Sequence, residues 1–176
     1  MGAMSEDWTL DDQLEAEYDA FWADASIRAG LNPSRVYFGP NPTDALRPPA
    51  WSFGADPATA DALLALVLAG TKTATASALW DYEAAGEEPP VAGTLSIVTD
   101  GAGHPRALIQ TTSVRVVPFG EVDEAHAYAE GEGDRSLAHW RAVHQRYFTD
   151  HAENDRGFEP DMPVVLEAFE VLVPRR

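Results

Sequence analysis

Lys72 is the first residue to consider for chemistry, because it is the only lysine among 176 residues. An average composition would supply about ten lysines, whereas all eleven other Lys or Arg positions of this chain are arginine. A general preference for arginine explains that depletion and leaves Lys72 with no special role. The alternative is that this position needs a compact ammonium group, which gives up a proton far more readily than guanidinium does. A lysine of that kind can act as an acid or a base.

The segment around Lys72, residues 70–77 (GTKTATAS), is rich in small hydroxylic side chains. These hydroxylic residues are Thr71, Thr73, Thr75 and Ser77. In an extended strand their four side chains would share one face, and Lys72 would point to the other. A turn at Gly70 would instead bring residues three positions apart together, and Thr75 would then lie beside Lys72. The simpler interpretation makes Thr75 an ordinary strand threonine.

A second candidate is the acidic turn over residues 130–136 (EGEGDRS). Its glycines permit positive φ angles and close backbone approach, and its carboxylates precede a predicted helix, where negative charge is favoured. The alternative is a solvated loop that only caps this helix. Calcium loops need oxygen ligands in a longer alternating pattern, so the turn is a poor match for a calcium site.

The histidines do not favour a metal site. His144 and His151 lie seven residues apart on one helical face, and no His-Glu-x-x-His pattern occurs, so structural or surface roles are favoured. The absence of cysteine excludes disulfides, thiolate metal sites and cysteine nucleophiles. Glycine-rich phosphate loops and the Gly-x-Ser-x-Gly nucleophile elbow are also missing. The sequence therefore predicts neither metal ligands nor a cofactor.

The formal net charge of −17 is spread over the whole chain. Residues 1–30 carry eight acidic side chains against Arg28, so the remaining 146 residues still carry a net charge of −10. Tight polynucleotide binding needs clustered cations that neutralise phosphates. The composition therefore disfavours a long polyanionic partner, although it leaves room for a local basic groove.

The first element expected to support this chemistry is an N-terminal helix. A capping box at Thr9 and Asp12 opens it, and Gly30 ends it. Residues 31–57 then contain six prolines and four aromatic residues. That composition rules out a regular element but is too aromatic for a free linker. We expect an ordered proline-rich arm packed on the body.

Three further helices are predicted along the chain. Asp56 and Pro57 supply an N-cap and a first helical residue for a helix that ends at Gly70. Another helix covers roughly residues 121–129, and Ser136 caps the next one, which carries a single apolar stripe. The acidic turn therefore lies between two helices.

Strands occupy the second half of the chain. Residues 94–99 and 107–117 are rich in β-branched side chains and flank a turn at 100–103, which predicts a hairpin. Residues 164–173 supply a closing strand. This order of elements predicts an α+β fold with a small, largely antiparallel barrel or sheet.

No stretch approaches the roughly 18 to 20 apolar residues of a membrane span, and the acidic first thirty residues are unlike a signal peptide. We therefore expect a cytoplasmic protein without a membrane partner. Residues 1–4 are interpreted as a tag remnant and residues 5–49 as the N-terminal helix with its arm.

Together these motifs resemble the ASCH domain, a PUA-like β-barrel, in its longer bacterial branch. The resemblance spans roughly residues 50–173, and it identifies residues 50–176 as the ASCH domain. It implies a PUA-like small β-barrel with flanking helices and a cleft that faces a nucleoside or nucleic acid. The matching positions are residues 70–77, Trp80, Tyr82, Gly93, Asp100, Gly101, Thr112, residues 117–119, residues 130–137, Trp140 and His144.

Short ASCH enzymes hydrolyse the amide bond of N(4)-acylcytidines with a lysine, a threonine three positions later and a glutamate of the acidic turn. The resemblance assigns these catalytic roles to Lys72, Thr75 and Glu132. Ser77 stands where the short enzymes have an arginine, a departure that bears on substrate anchoring. The resemblance assigns substrate contacts to Ser77, Trp80, Tyr82, Glu130, Asp134, Arg135 and Ser136.

The residue types suit this reaction. Thr75 would attack the acyl carbon, Lys72 would accept its proton, and Glu132 would protonate the leaving nitrogen. Lys72 and Thr75 are therefore expected within hydrogen-bond reach of each other. Burial favours a neutral lysine for this role, whereas the charge of Glu132 opposes it.

Other ASCH proteins resemble RNA-binding modules or metal-assisted ribonucleases. The alternative function is therefore binding or cleavage of single-stranded RNA, the one case in which a divalent metal is expected. A neutral modified nucleoside needs no phosphate neutralisation, so the acidic composition favours the amidohydrolase.

Overall fold

A computed structural model describes residues 9–31 and 47–174. The interpretation of residues 1–4 as a tag remnant falls outside these ranges. So does most of the predicted arm, residues 32–46, with three of its prolines and two of its aromatic side chains. Within the described ranges, no helix has the length and apolar character that crossing a membrane would require.

Five helices and five strands form the described structure. The helices are α1 (Leu10–Arg28), α2 (Pro57–Ala69), α3 (Leu79–Ala85), α4 (Glu124–Glu130) and α5 (Leu137–Asp150). The strands are β1 (Ala50–Trp51), β2 (Ala74–Ala78), β3 (Leu95–Thr99), β4 (Pro105–Pro118) and β5 (Pro163–Val173). A short 3₁₀ turn, Phe119–Glu121, follows β4. The α+β class predicted from the sequence is confirmed.

The strands form one sheet in the order β1-β3-β4-β5-β2, in which β1 pairs with β3 in parallel and the other pairs are antiparallel. The predicted hairpin is the β3–β4 pair. Of the barrel or sheet expected from the sequence, the structure has an open, largely antiparallel sheet. Closure requires the edge strands to pair with each other, and β1, with two residues, offers very little backbone for such a pairing.

Local sequence signals set the helix boundaries. The Thr9 side chain accepts a hydrogen bond from Asp12 N in a complete capping box. Asp56 caps α2, and Gly70 ends it with a left-handed φ of 75°. Ser136 caps α5. These four boundaries confirm the sequence prediction, because each depends on residues within about four positions of one another.

Two helical segments differ from the prediction. The helix expected from residue 121 begins at Glu124 instead, since Asp123 caps it by accepting a hydrogen bond from His126 N. The segment before it forms the 3₁₀ turn. Helix α3 was not predicted, and its N-cap residue Ala78 supplies no side-chain hydrogen bond. Without a polar cap, its start has no local signal in the sequence.

The β3–β4 hairpin lies between two helices. Ile97 and its partner Leu108 pack towards α1, whereas Val98 and its partner Ala107 pack towards α2, because successive strand residues face opposite sides. At the other end of the sheet, α4 and α5 cover β2 and β5 around Trp140. A cleft lies between β2, β5, α5 and the segment that follows β1.

Candidate functional site

A cleft of about 680 Å³ opens between β2, β5, α5 and the segment that follows β1. Lys72, Thr75 and Glu132 all line it, together with Ser77 and Tyr82. The end of the predicted arm also lines it, since Trp51 and the residues up to Asp56 form one wall. The cleft therefore combines hydroxyl groups, carboxyl groups and exposed aromatic surface.

Lys72 is buried, with 1% of its side chain exposed, at the base of this cleft. The turn at the end of α2 positions it, because Lys72 N donates to Leu66 O and Thr73 N donates to Ala129 O. Its Nζ donates to Glu132 Oε1 at 2.9 Å and to Glu130 Oε2 at 3.2 Å. The ammonium also lies 5.3 Å from the centroid of the Phe53 ring. The single lysine of the sequence is thus buried at the base of the cleft between two carboxylates.

Glu130 is equally enclosed, with 1% of its side chain exposed. Trp140 Nε1 donates to its Oε1 at 2.7 Å, and His126 Nε2 lies 2.8 Å from the same atom. His144 Nε2 lies 3.4 Å from Oε2. Burial opposes ionisation of Glu130, but the charge of Lys72 and the contacts of both histidines outweigh it, so its pKa lies well below the ordinary value. Glu130 is therefore a fixed anion.

Glu132 is the more accessible partner of Lys72, with 21% of its side chain exposed. The acidic turn holds Glu132 in place, and the turn itself packs against the backbone next to Lys72. Arg135 donates to the carbonyls of Tyr128 and Thr71, and its guanidinium lies 3.5 Å from the centroid of the Tyr128 ring. The turn thus positions a carboxylate rather than forming a solvated loop.

Gly131 makes this docking close. Its φ is +74°, and an added Cβ would collide with the carbonyl of Thr71.

We expect Gly131→Ala to lower the free energy of unfolding. The left-handed backbone conformation alone should cost about 1–3 kcal/mol, and the collision with Thr71 adds a further loss. Urea denaturation measures this loss. Gly86→Ala is the matched control, because Gly86 also ends a helix with a φ of +68° but has nothing within 4 Å of its added Cβ. Equal losses in both variants would contradict the predicted contact.

Thr75 and Ser77 both face the cleft from β2, as strand alternation predicts. Lys72 reaches the same cleft because the strand begins only at Ala74. The hydrogen bonds of Nζ go to the two glutamates, and within the described chain none joins it to the Thr75 hydroxyl. Direct hydrogen-bond contact between Lys72 and Thr75, which the sequence led us to expect, is thus not found. Ser77 Oγ lies 3.1 Å from the Tyr82 hydroxyl.

Four residues assigned to substrate contact do not line the cleft. Trp80 packs against the core around Trp140, and the Arg156 guanidinium lies 4.6 Å from its ring centroid. Asp134 Oδ1 accepts a hydrogen bond from Ser136 N, and Ser136 caps α5. Arg135 braces the acidic turn. Their contacts are structural and stabilise the elements that carry Glu130 and Glu132.

Sequence reasoning assigned no role in the cleft to Glu167 or His144. Glu167 lies in the middle of β5 and lines the cleft opposite Thr75. A glutamate within the apolar run of residues 164–169 was a signal for it. His144 lines the cleft while stacking on Trp140, with ring centroids 4.2 Å apart. Its partner at seven residues, His151, lies at the rim.

The cleft is strongly acidic. Its cationic side chains are Lys72 and Arg146, besides the two histidines. Its acidic side chains are Asp56, Glu87, Glu88, Glu130, Glu132, Asp150 and Glu167. Over residues 9–31 and 47–174, no group of three or more histidine or carboxylate side chains is arranged to hold a metal ion. The negative electrostatic potential of this cleft disfavours binding of a phosphate-rich ligand and does not oppose binding of a neutral one.

Comparisons with known proteins agree with these features. Residues 49–173 match the model of the ASCH domain family. The chain is similar to the crystal structure of an ASCH domain from Lactobacillus crispatus JV V101, with 31% identity, a TM-score of 0.75 and coverage of 89% of this chain and 94% of that one. It is also similar to a structure from Enterococcus faecalis V583, with 33% identity, a TM-score of 0.76 and coverage of 89% and 88%. No curated protein matches.

These likenesses confirm the expected fold, a PUA-like α+β domain whose sheet is open here. The family model covers the sheet, the acidic turn and the segment that carries Lys72. The two structures extend the agreement to most of the chain. On this evidence the protein is a member of the ASCH domain family.

Proposed function

We propose that the cleft hydrolyses the amide bond of an N(4)-acylated cytidine-type nucleoside. The observation that carries the proposal is the buried Lys72, whose Nζ is held by Glu130 and Glu132 in the same cleft as the Thr75 hydroxyl. Amide hydrolysis needs a nucleophile, a group that takes its proton and an acid for the leaving amine. Thr75, Lys72 and Glu132 supply these roles.

The Lys72–Glu132 contact gives the proton a route. Nζ passes a proton to the Glu132 carboxylate at 2.9 Å. The resulting amine takes the proton of the Thr75 hydroxyl when substrate binding brings these two groups into hydrogen-bond contact, since such contacts often tighten only in the substrate complex. Thr75 Oγ1 then forms a bond to the acyl carbon, and the restored ammonium stabilises the oxyanion. When the C–N bond breaks, Glu132 returns its proton to the leaving nitrogen, which departs as the free amine of cytidine.

Water completes the cycle. Glu132, again a carboxylate, takes a proton from water as the oxygen attacks the acyl-threonine ester. Thr75 leaves as the alcohol after receiving that proton by way of Lys72, and the acyl group departs as a carboxylic acid. Glu130 takes no part in proton movement, because its contacts hold it as an anion. Its function is to keep the Lys72 Nζ in place.

The charge and shape of the cleft support a neutral nucleoside. Carboxyl side chains outnumber cations there, so a phosphate backbone would be repelled. Trp51, Tyr82 and Tyr147 offer aromatic surface on which a base can stack. These features favour the amidohydrolase over binding or cleavage of single-stranded RNA, and no cofactor enters the reaction.

Thr75→Val tests the proposed nucleophile. We expect its kcat/KM on acetylcytidine to fall by more than about 10³-fold, because removal of a nucleophile leaves only binding and oxyanion stabilisation. Activity of the unmodified protein should persist in EDTA. Thr73→Val is the matched control, since Thr73 lies two positions away and, among the described residues, its hydroxyl donates to the Ala129 carbonyl.

The same samples, incubated with single-stranded RNA, separate the alternative function. A ribonuclease would need a divalent ion, weaken steeply with added salt and persist in Thr75→Val. Degradation of RNA under those conditions, with acetylcytidine left intact, would overturn the proposal.

A further inference from the structure

Glu167 is a buried carboxyl group that the proposed reaction does not use. It lies in the middle of β5 with 7% of its surface exposed, and it lines the cleft. The Thr111 hydroxyl of β4 donates to its Oε1 at 2.5 Å. Within the described residues, Glu167 Oε2 has no hydrogen-bond partner. Every fully buried side-chain nitrogen or oxygen atom of these residues does have a partner, so Oε2 is not fully buried. Oε2 is therefore open to the cleft.

The position of Glu167 relates it to the reacting group. Its Cα pairs with that of Thr75 across the antiparallel β2–β5 ladder, so the two side chains project from the same face as neighbours. A nucleoside whose acyl carbon lies at the Thr75 hydroxyl would place the adjacent part of its base near Glu167. In an N(4)-acylcytosine the acylated nitrogen is attached to C4, whose ring neighbours are C5 and N3, and of these two only N3 is a hydrogen-bond acceptor.

The surroundings of Glu167 favour its neutral form. Burial raises its pKa above the ordinary value, and the hydrogen bond from Thr111 only partly opposes this shift. From α3 the titratable neighbour is Tyr82, whose pKa is raised by its own burial and, to a smaller extent, by the charge of Glu167. Strands β2 and β4 present only the hydroxyls of Thr75, Ser77 and Thr111.

Charged groups elsewhere in the cleft do not stabilise an anion at Glu167. Lys72 is already paired with Glu130 and Glu132. In the described part of the chain, no lysine, arginine or histidine forms an ion pair with Glu167. A protonated carboxyl group has a hydrogen to donate, whereas a carboxylate only accepts.

We propose that Glu167 is the residue that selects the base, and that its protonated Oε2 donates a hydrogen bond to N3 of the cytosine ring. This inference rests on the proposed function and names the specificity determinant of the same site. An ionised Glu167 would place a carboxylate against the N3 lone pair, so the neutral form binds and the ionised form does not. The KM for acetylcytidine therefore rises as pH rises through the pKa of Glu167, while kcat changes less.

Glu167→Gln tests the proposal, because its amide donates a hydrogen bond without titrating. We expect this variant to keep its KM within about threefold of that of the unmodified protein at pH values below the pKa of Glu167, and to lose the rise in KM at higher pH. Glu167→Leu, of similar size but without a donor, should raise KM by about tenfold or more. Thermal unfolding of each variant shows whether the fold is retained.

A substrate analogue removes the same hydrogen bond from the other side. N(4)-acetyl-3-deazacytidine carries C–H in place of N3, and we expect its KM to be about tenfold higher with the unmodified protein and unchanged by Glu167→Leu. If the analogue and the natural nucleoside have equal KM values, or if KM of Glu167→Gln rises with pH as before, the proposal is overturned.

Binding of cytidine separates this inference from the proposed reaction. Calorimetric titration measures the affinity without turnover, and it should show the same dependence on pH and on Glu167. Binding that follows these expectations with no deacylation would contradict the reaction but support the base contact. Deacylation together with cytidine binding that depends neither on pH nor on Glu167 would support the reaction but contradict the base contact.

Discussion

Lys72→Arg is expected to lower kcat/KM on acetylcytidine by at least about 10³-fold while the protein remains folded. Guanidinium keeps the positive charge but does not release a proton near neutral pH, so neither Glu132 nor Thr75 would have a proton partner. General acid–base catalysis contributes about 10²–10⁴-fold, and here one side chain links the nucleophile to the acid. Steady-state kinetics and circular dichroism measure the two effects.

Lys72→Met separates the charge of the lysine from its proton chemistry. It removes the cation from a side chain that is 1% exposed and leaves Glu130 buried with an uncompensated charge. We expect a loss of about 3–5 kcal/mol in the free energy of unfolding, in contrast to a smaller loss for Lys72→Arg. Deacylation by Lys72→Arg within about twofold of the unmodified protein would show that the lysine is only an electrostatic anchor.

Glu130→Ala is expected to cost about 3–5 kcal/mol of unfolding free energy, because it leaves a buried ammonium without the more deeply buried of its two carboxylate partners. The Trp140 indole N–H, 2.7 Å from Glu130 Oε1, would also lose its acceptor. Urea denaturation near pH 7 measures the loss. Glu124→Ala is the matched control, since Glu124 is exposed on the same helix, and it should change stability by no more than about 0.5 kcal/mol.

The pH dependence of the unfolding free energy is a second test of the role of Glu130. Glu130 has a folded pKa well below its ordinary value, so its ionised form stabilises the fold above the unfolded pKa of about 4.3. This contribution is lost as pH falls through the folded pKa. Between pH 6 and pH 3, the unmodified protein should lose more stability than Glu130→Gln, whose amide does not titrate. Parallel losses in both proteins would contradict the role assigned to Glu130.

Much of the local structure could be predicted from the sequence. The capping box at Thr9, the cap at Asp56, the helix end at Gly70 and the β3–β4 hairpin are all found in the structure. Each depends on residues a few positions apart, so backbone preferences and short hydrogen bonds decide it. Helix α3 could not be predicted, since its N-cap residue Ala78 forms no side-chain hydrogen bond.

The candidate site was predictable only in part. A single lysine, the hydroxylic segment after it and the acidic turn stand out in the sequence and carry the family resemblance. Trp80 and Arg135 belong to the same motifs, yet they stabilise the structure around the cleft and do not line it. A motif match does not separate these two roles, because both kinds of residue are close to the site in the chain.

The sequence by itself determined the helix caps, the hairpin, the acidic charge and the identity of Lys72 as the residue to examine. Only the tertiary structure decided what Lys72 contacts, since its two carboxylate partners lie 58 and 60 residues away in the chain. It also placed Glu167 beside Thr75, because β5, near the end of the sequence, pairs with β2. Contacts of this range depend on how the whole core packs, and no short pattern of residues encodes them.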